Sequence, residues 1–103
     1  MTSKQRAYLK GLAMNIEPIF QVGKSSLTPE ITEAINEALE ARELIKISVL
    51  KNCDADIKEL ASVIANRTHS EVVQTIGRKV VFYKPAKDEK KRKIVLPKVK
   101  KQQ

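Results

Sequence analysis

Thr28-Pro-Glu-Ile-Thr-Glu-Ala-Ile-Asn-Glu-Ala-Leu-Glu-Ala-Arg-Glu-Leu-Ile-Lys-Ile-Ser-Val-Leu50 changes its apolar period part-way along. Thr28 is a good helix N-cap and Pro29 suits the first helical position. Apolar residues then fall at Ile31, Ala34, Ile35, Ala38 and Leu39, the spacing of one helix face. Glu30, Glu33, Glu37 and Glu40 occupy the other sides, and the first two suit the positive end of the helix dipole. From Leu44 the period becomes two: Ile45, Ile47 and Val49 alternate with Lys46 and Ser48, as in a strand.

Outward from this unit, Pro18-Ile-Phe-Gln-Val22 is a short apolar run ending at Gly23, which predicts a preceding strand. Ser3 to Ala13 reads as a helix capped by Ser3, with Ala7, Leu9, Leu12 and Ala13 on its apolar side. After Leu50, Asp54 or Asp56 starts a third helix whose inner side is Ile57, Leu60, Ala61 and Ile64. Glu71–Ile76 and Lys79–Tyr83 are strands joined by Gly77-Arg78, which predicts a type II′ hairpin turn. The order α-β-α-β-α-β-β predicts an α/β fold: a four-stranded mixed sheet packed with helices. Beyond Pro85 the chain is linker-like, broken by Ile94-Val-Leu96, which could dock as a small edge strand.

The 103 residues suffice for one modest domain. Net charge is +8, which argues for a polyanionic partner. Residues 1–83 carry 11 basic and 10 acidic residues, whereas residues 84–103 carry nine basic and two acidic. Within the first part, residues 1–29 are net +3 and residues 30–43 net −4. The single Cys53 excludes a disulfide framework and a multi-Cys zinc site. Cys53 reads as a plain small residue at a strand end, and the lone His69 as a surface or capping residue. No apolar run is long enough to span a membrane, and no apolar segment follows the charged N-terminus. A soluble, cytoplasmic, non-enzymatic protein without cofactor or metal is expected. Phe20 and Phe82 read as core, and the adjacent Phe82 and Tyr83 point to opposite sheet faces, so they form no base-stacking pair.

Gly23, Lys24, Ser25 and Ser26 lie between a strand and a helix N-terminus, where backbone N–H groups and the dipole favour an anion. A nucleotide P-loop would need glycine where Pro18 stands. On these residues alone, a turn without ligand and a phosphate cradle are both open. The same holds for the basic side of the first helix, Lys4, Arg6 and Lys10: a solvated face or a phosphate contact. The tail, including Lys90, Lys91, Arg92 and Lys93, suits nonspecific phosphate contact, or else a solubilising end.

Taken in order, Thr2-Ser-Lys-Gln-Arg-Ala-Tyr-Leu-Lys-Gly-Leu-Ala13, Val22-Gly-Lys-Ser-Ser-Leu-Thr28, Glu43-Leu-Ile-Lys-Ile47, Gln74-Thr-Ile-Gly-Arg78, Phe82-Tyr-Lys-Pro85 and Lys93-Ile-Val-Leu-Pro97 resemble the CRM domain (chloroplast RNA splicing and ribosome maturation), in its stand-alone bacterial YhbY form. The resemblance spans about residues 2–97. It implies a single compact domain similar to the C-terminal domain of translation initiation factor 3, at residues 1–97, with a basic tail at 98–103. It implies RNA binding without catalysis, and association with large-subunit ribosomal RNA in a precursor particle during ribosome assembly. The family's GxxG loop maps onto Gly23, Lys24, Ser25 and Ser26, with Ser26 in place of the last glycine. The family's basic helix residues map onto Lys4, Arg6 and Lys10. A monomer with an RNA partner is the expectation. The rival is a ribosome-associated adaptor that docks a basic protein on the acidic second helix; a polybasic membrane-surface protein ranks below both.

Overall fold

Thr2 starts the first helix. Its side-chain oxygen accepts from the Gln5 backbone N–H at 3.1 Å, and the Gln5 side chain accepts from the Thr2 N–H at 3.1 Å. This capping box satisfies two end donors reciprocally. Helix α1 therefore spans Ser3–Ala13 with Thr2 as its N-cap, and the expected cap, Ser3, is its first helical residue. Ser3 has Arg6 rather than Gln or Glu three residues on, so it cannot close such a box.

The computed structural model of the chain describes residues 1–23, 28–51 and 56–97. Strand β1 covers Phe20–Val22, shorter than the apolar run, because Pro18 has no N–H to give; the Ile19 N–H donates to Lys46 O at 2.9 Å just before the ladder begins. Helix α2 spans Pro29–Arg42, with the Thr28 hydroxyl accepting from Ile31 N–H at 3.2 Å. Strand β2 is Leu44–Val49. Helix α3 is Ile57–Thr68, capped by Asp56, whose carboxylate accepts from Lys58 N–H at 3.0 Å. His69 ends it in the left-handed region with φ 56°. Strands β3 (Glu71–Ile76) and β4 (Lys79–Tyr83) follow. Gly77 takes φ +56° while Arg78 does not turn positive, which is the φ pattern of the expected type II′ turn.

The sheet order is β1-β2-β4-β3. β1 runs parallel to β2, and β4 is antiparallel to both of its neighbours. The sequence-based α/β order and mixed four-stranded sheet are thus observed. Alternation splits the sheet into two faces. On one, Val22, Ile45, Ile47, Val49, Val80 and Phe82 pack against Ile35 and Leu39 of α2 and Leu60, Ala61 and Ile64 of α3. On the other, Leu44, Val73, Val81 and Tyr83 pack against Leu9 and Ala13 of α1. Phe82 and Tyr83 are both buried, one on each face, and Phe20 packs at the margin of the first cluster.

Two irregularities matter for the surface. β3 shifts register between Val72 and Gln74, so Val73 forms a bulge on an edge strand. Residues 84–97 fold back over the α1 side, where Ile94 and Leu96 join the second cluster. They form no edge strand: the N–H groups of Lys93 and Ile94 donate to the Glu43 carboxylate at 2.7 and 2.9 Å instead of to a ladder. A 3-10 turn at Glu89–Lys91 precedes them. Among the described residues, no helix is long and apolar enough to cross a membrane.

Candidate nucleic-acid interface

Three chain segments meet at one end of the sheet. The Leu50 N–H donates to Val22 O at 2.9 Å, and the Val49 N–H to Arg78 O at 2.7 Å. Arg78 returns two bonds, from Nε to Val49 O at 3.0 Å and from Nη2 to Leu50 O at 2.6 Å. Gly23, Leu50-Lys51 and the Gly77–Lys79 turn therefore lie side by side. The candidate phosphate loop leaves from Gly23 here, and the described chain resumes at Thr28, the N-cap of α2. Lys24, Ser25 and Ser26 themselves lie outside the described residues, as do Cys53 and Asp54.

The basic residues of α1 divide into two kinds. Lys4 and Lys10 are exposed. Arg6 is half-buried, and its Nη1 donates to the carbonyls of Val72 and, at 3.3 Å, Val73. It thus holds the α1 flank to the β3 bulge, whose carbonyls the shifted register has taken out of the regular ladder.

The structure does not set α1 against the loop. The residues under α1 (Leu44, Val73, Val81, Tyr83) lie towards the end of the sheet face away from the loop, with Val81 at the margin of the covered part. Between them and the loop the face is open. Register places Gln21 beside Ser48, Ser48 beside Lys79, and Lys79 beside Ile76, so one row crosses all four strands. Lys46, Val81 and Gln74 form the next row towards α1. Lys46 and Lys79 were not among the sequence candidates. Their signal was present in the alternation with Ile45, Ile47 and Val80, but which half of the face a helix covers is not a local property.

The basic tail segment sits at the other end of the sheet. Lys90 and Lys91 are exposed. Arg92 Nε donates to Ala86 O at 2.8 Å, and Lys93 Nζ to Ala41 O at 2.9 Å. Residues 98–103 lie outside the described residues. What holds the segment is Glu43, only 1% exposed, whose carboxylate also accepts from Ala86 N–H at 2.9 Å. Burial acts to raise the Glu43 pKa. The N–H groups of Ala86, Ile94 and Lys93, with the Arg92 charge, outweigh it, and the net shift is below the ordinary value. Burial first, then the Glu43 charge, pushes the Tyr83 phenol up.

The exposed carboxylates concentrate on α2, in a layer that also carries the exposed Arg42, Lys58 and Arg67. Glu30, Glu33, Glu37 and Glu40 of α2 are exposed on the face away from α1. Glu40 is met by Lys84 Nζ at 3.5 Å, and that ammonium also donates to Asn36 Oδ1 at 2.8 Å. Among the described residues, no group of three or more His, Cys, Asp or Glu side chains could hold a metal ion. The arrangement can grip phosphates on the α1 side and would repel them on the α2 side.

The family model described as "CRS1 / YhbY (CRM) domain" matches residues 1–84. The protein named "Probable RNA-binding protein YqeI" of Bacillus subtilis is 46% identical over 90 residues, covering 87% of this chain and 94% of its own length. A Haemophilus influenzae protein named "RNA-binding protein" is 36% identical over 91 residues, covering 87% and 91%. The solution structure of the Staphylococcus aureus protein SAV1595, described as a candidate RNA-binding protein, superposes with a TM-score of 0.78 at 45% identity. That match covers 94% of this chain and 99% of the other.

Proposed function

Because the chain belongs to the CRS1/YhbY (CRM) domain family, we propose that it is a non-catalytic RNA-binding protein whose α1 side faces the RNA. The observation that carries this is the distribution of charge: lysines on α1 and at the Gly23 end of the sheet, and the acidic excess on α2. Lys24 and the Gly23–Ser26 backbone hold a phosphate at the α2 N-terminus. Lys4 and Lys10 extend the electropositive surface, and Arg6 adds its charge while fixing the helix. Lys90, Lys91, Arg92 and Lys93 supply weaker, salt-sensitive affinity from the far end. The RNA is the large-subunit ribosomal RNA of a precursor particle, and the protein assists assembly as a cytoplasmic monomer. This finer reading is supported by the resemblance of six ordered motifs.

Lys24→Ala tests the loop. RNA affinity in a low-salt titration falls about fivefold, and the log–log salt slope flattens by about 0.7, the value for one lost single-strand phosphate contact. The thermal melt stays that of the parent. Unchanged affinity and slope would refute the loop as a phosphate site.

A further inference from the structure

The open half of the sheet face carries five polar side chains in two rows across the strands. Gln21, Ser48 and Lys79 stand in one row ending at Ile76, with Lys46 and Gln74 in the row behind. Gln21 and Lys79 are exposed, Lys46, Ser48 and Gln74 half-buried, and Ile76 is 58% exposed. Among the described residues, none of the five polar side chains makes a hydrogen bond or ion pair. The strand residues of this half carry no carboxylate. By the inter-strand spacing, the four-strand row is about 14 Å long.

The chemistry of this row differs from that of a plain cationic patch. A phosphate only accepts hydrogen bonds, so lysines alone would serve it. Two carboxamides and a hydroxyl both donate and accept. Base edges also present donors and acceptors side by side, and amide side chains pair with them in two-bond geometry. Ile76 offers an apolar surface at the β3 end of the row, where a base face can rest. Lys46 and Lys79 stand among these groups at positions suited to the phosphates that flank exposed bases. In paired A-form RNA the major-groove base edges are out of reach and the shallow minor groove is read mostly by shape and 2′-hydroxyl contacts, so a row that pairs with base edges suits unpaired nucleotides.

We propose that this open half of the α1-side sheet face, Gln21, Ser48 and Gln74 with Lys46, Lys79 and Ile76, reads the base edges of an unpaired RNA segment. The inference rests on the RNA-binding reading above and adds to it the strandedness of the RNA and the residues that discriminate bases.

The test compares two probes of one sequence, an unpaired RNA of about 12 nucleotides and the same strand annealed to its complement. The full chain is titrated with each at low salt. The wild-type protein binds the unpaired probe more tightly. The double variant Gln21→Ala/Gln74→Ala loses about tenfold on the unpaired probe. It loses less than about twofold on the duplex, with the salt slope unchanged because no phosphate contact is removed. Lys79→Ala, at an exposed position that leaves the fold intact, instead flattens the unpaired-probe slope by about 0.7. In NMR spectra, the side-chain amide signals of Gln21 and Gln74 shift on addition of the unpaired probe. Equal losses on both probes, or none on either, would overturn the inference while leaving RNA binding standing. A wild-type protein that binds neither probe would overturn both.

Discussion

Glu43→Ala lowers the unfolding free energy by about 3 kcal/mol, and with it the melting temperature by on the order of 15 °C. The residue is the whole connection between α2, which ends at Arg42, and β2, which begins at Leu44. A one-residue connection forces a sharp turn, and Glu43 makes it with φ 68°, a conformation in which a side chain is strained. The strain persists because of what the carboxylate does. It accepts from Ala86, Lys93 and Ile94, while the Glu43 carbonyl accepts from Lys84 N–H at 2.8 Å. Alanine keeps the strained backbone and leaves three N–H donors without their acceptor, and the strap carrying Ile94 and Leu96 comes away from Tyr83. Glu43→Gln costs less, about 1–2 kcal/mol, because it sets one amide N–H against the donors.

The same bonds give stability a pH dependence of known sign. The folded pKa lies below the ordinary value of 4.5, so the contribution is fully present above that value. It is lost as pH falls from there through the lower folded pKa. Wild-type protein therefore loses stability more steeply than Glu43→Ala on acidification below the ordinary value. Melts that run parallel in that range would refute the role given to the carboxylate.

Arg6→Ala is the second large effect, a loss of about 2 kcal/mol, since a charged donor to the Val72 and Val73 carbonyls is removed from a half-buried site. Arg6→Lys separates its two contributions. Lysine keeps the charge that RNA responds to but cannot reproduce the planar fork at the bulge. The Lys variant loses about 1 kcal/mol of stability with RNA affinity within about twofold of wild type. The Ala variant loses both. Equal melting temperatures for all three proteins would mean that the guanidinium does not hold the bulge.

These two residues also mark where local sequence stops informing. The α2–β2 unit is legible because its apolar period changes from helical to alternating within one run, and neighbouring caps and turns agree with it. Five glutamates between residues 30 and 43 look alike in that pattern, yet four face solvent and Glu43 is interior. Its partners lie 43 or more residues further along, so no window around it shows them. What local reading does offer is the one-residue gap, where a residue other than glycine needs a reason. Arg6 likewise looks like Lys4 and Lys10 until β3 is bulged beside it. The face of Lys46 was readable from alternation, but its exposure depends on α1 covering only the far half of the sheet.

The central claim is that the α1 side of this domain grips RNA of the large-subunit precursor. Crosslinking in cells followed by sequencing of the bound RNA tests it most directly, carried out in parallel on the wild-type protein and on Lys24→Ala. The account predicts reads concentrated in one region of large-subunit ribosomal RNA, centred on an unpaired segment and depleted in the variant. Reads scattered over messenger RNA, with the same yield from both proteins, would contradict it.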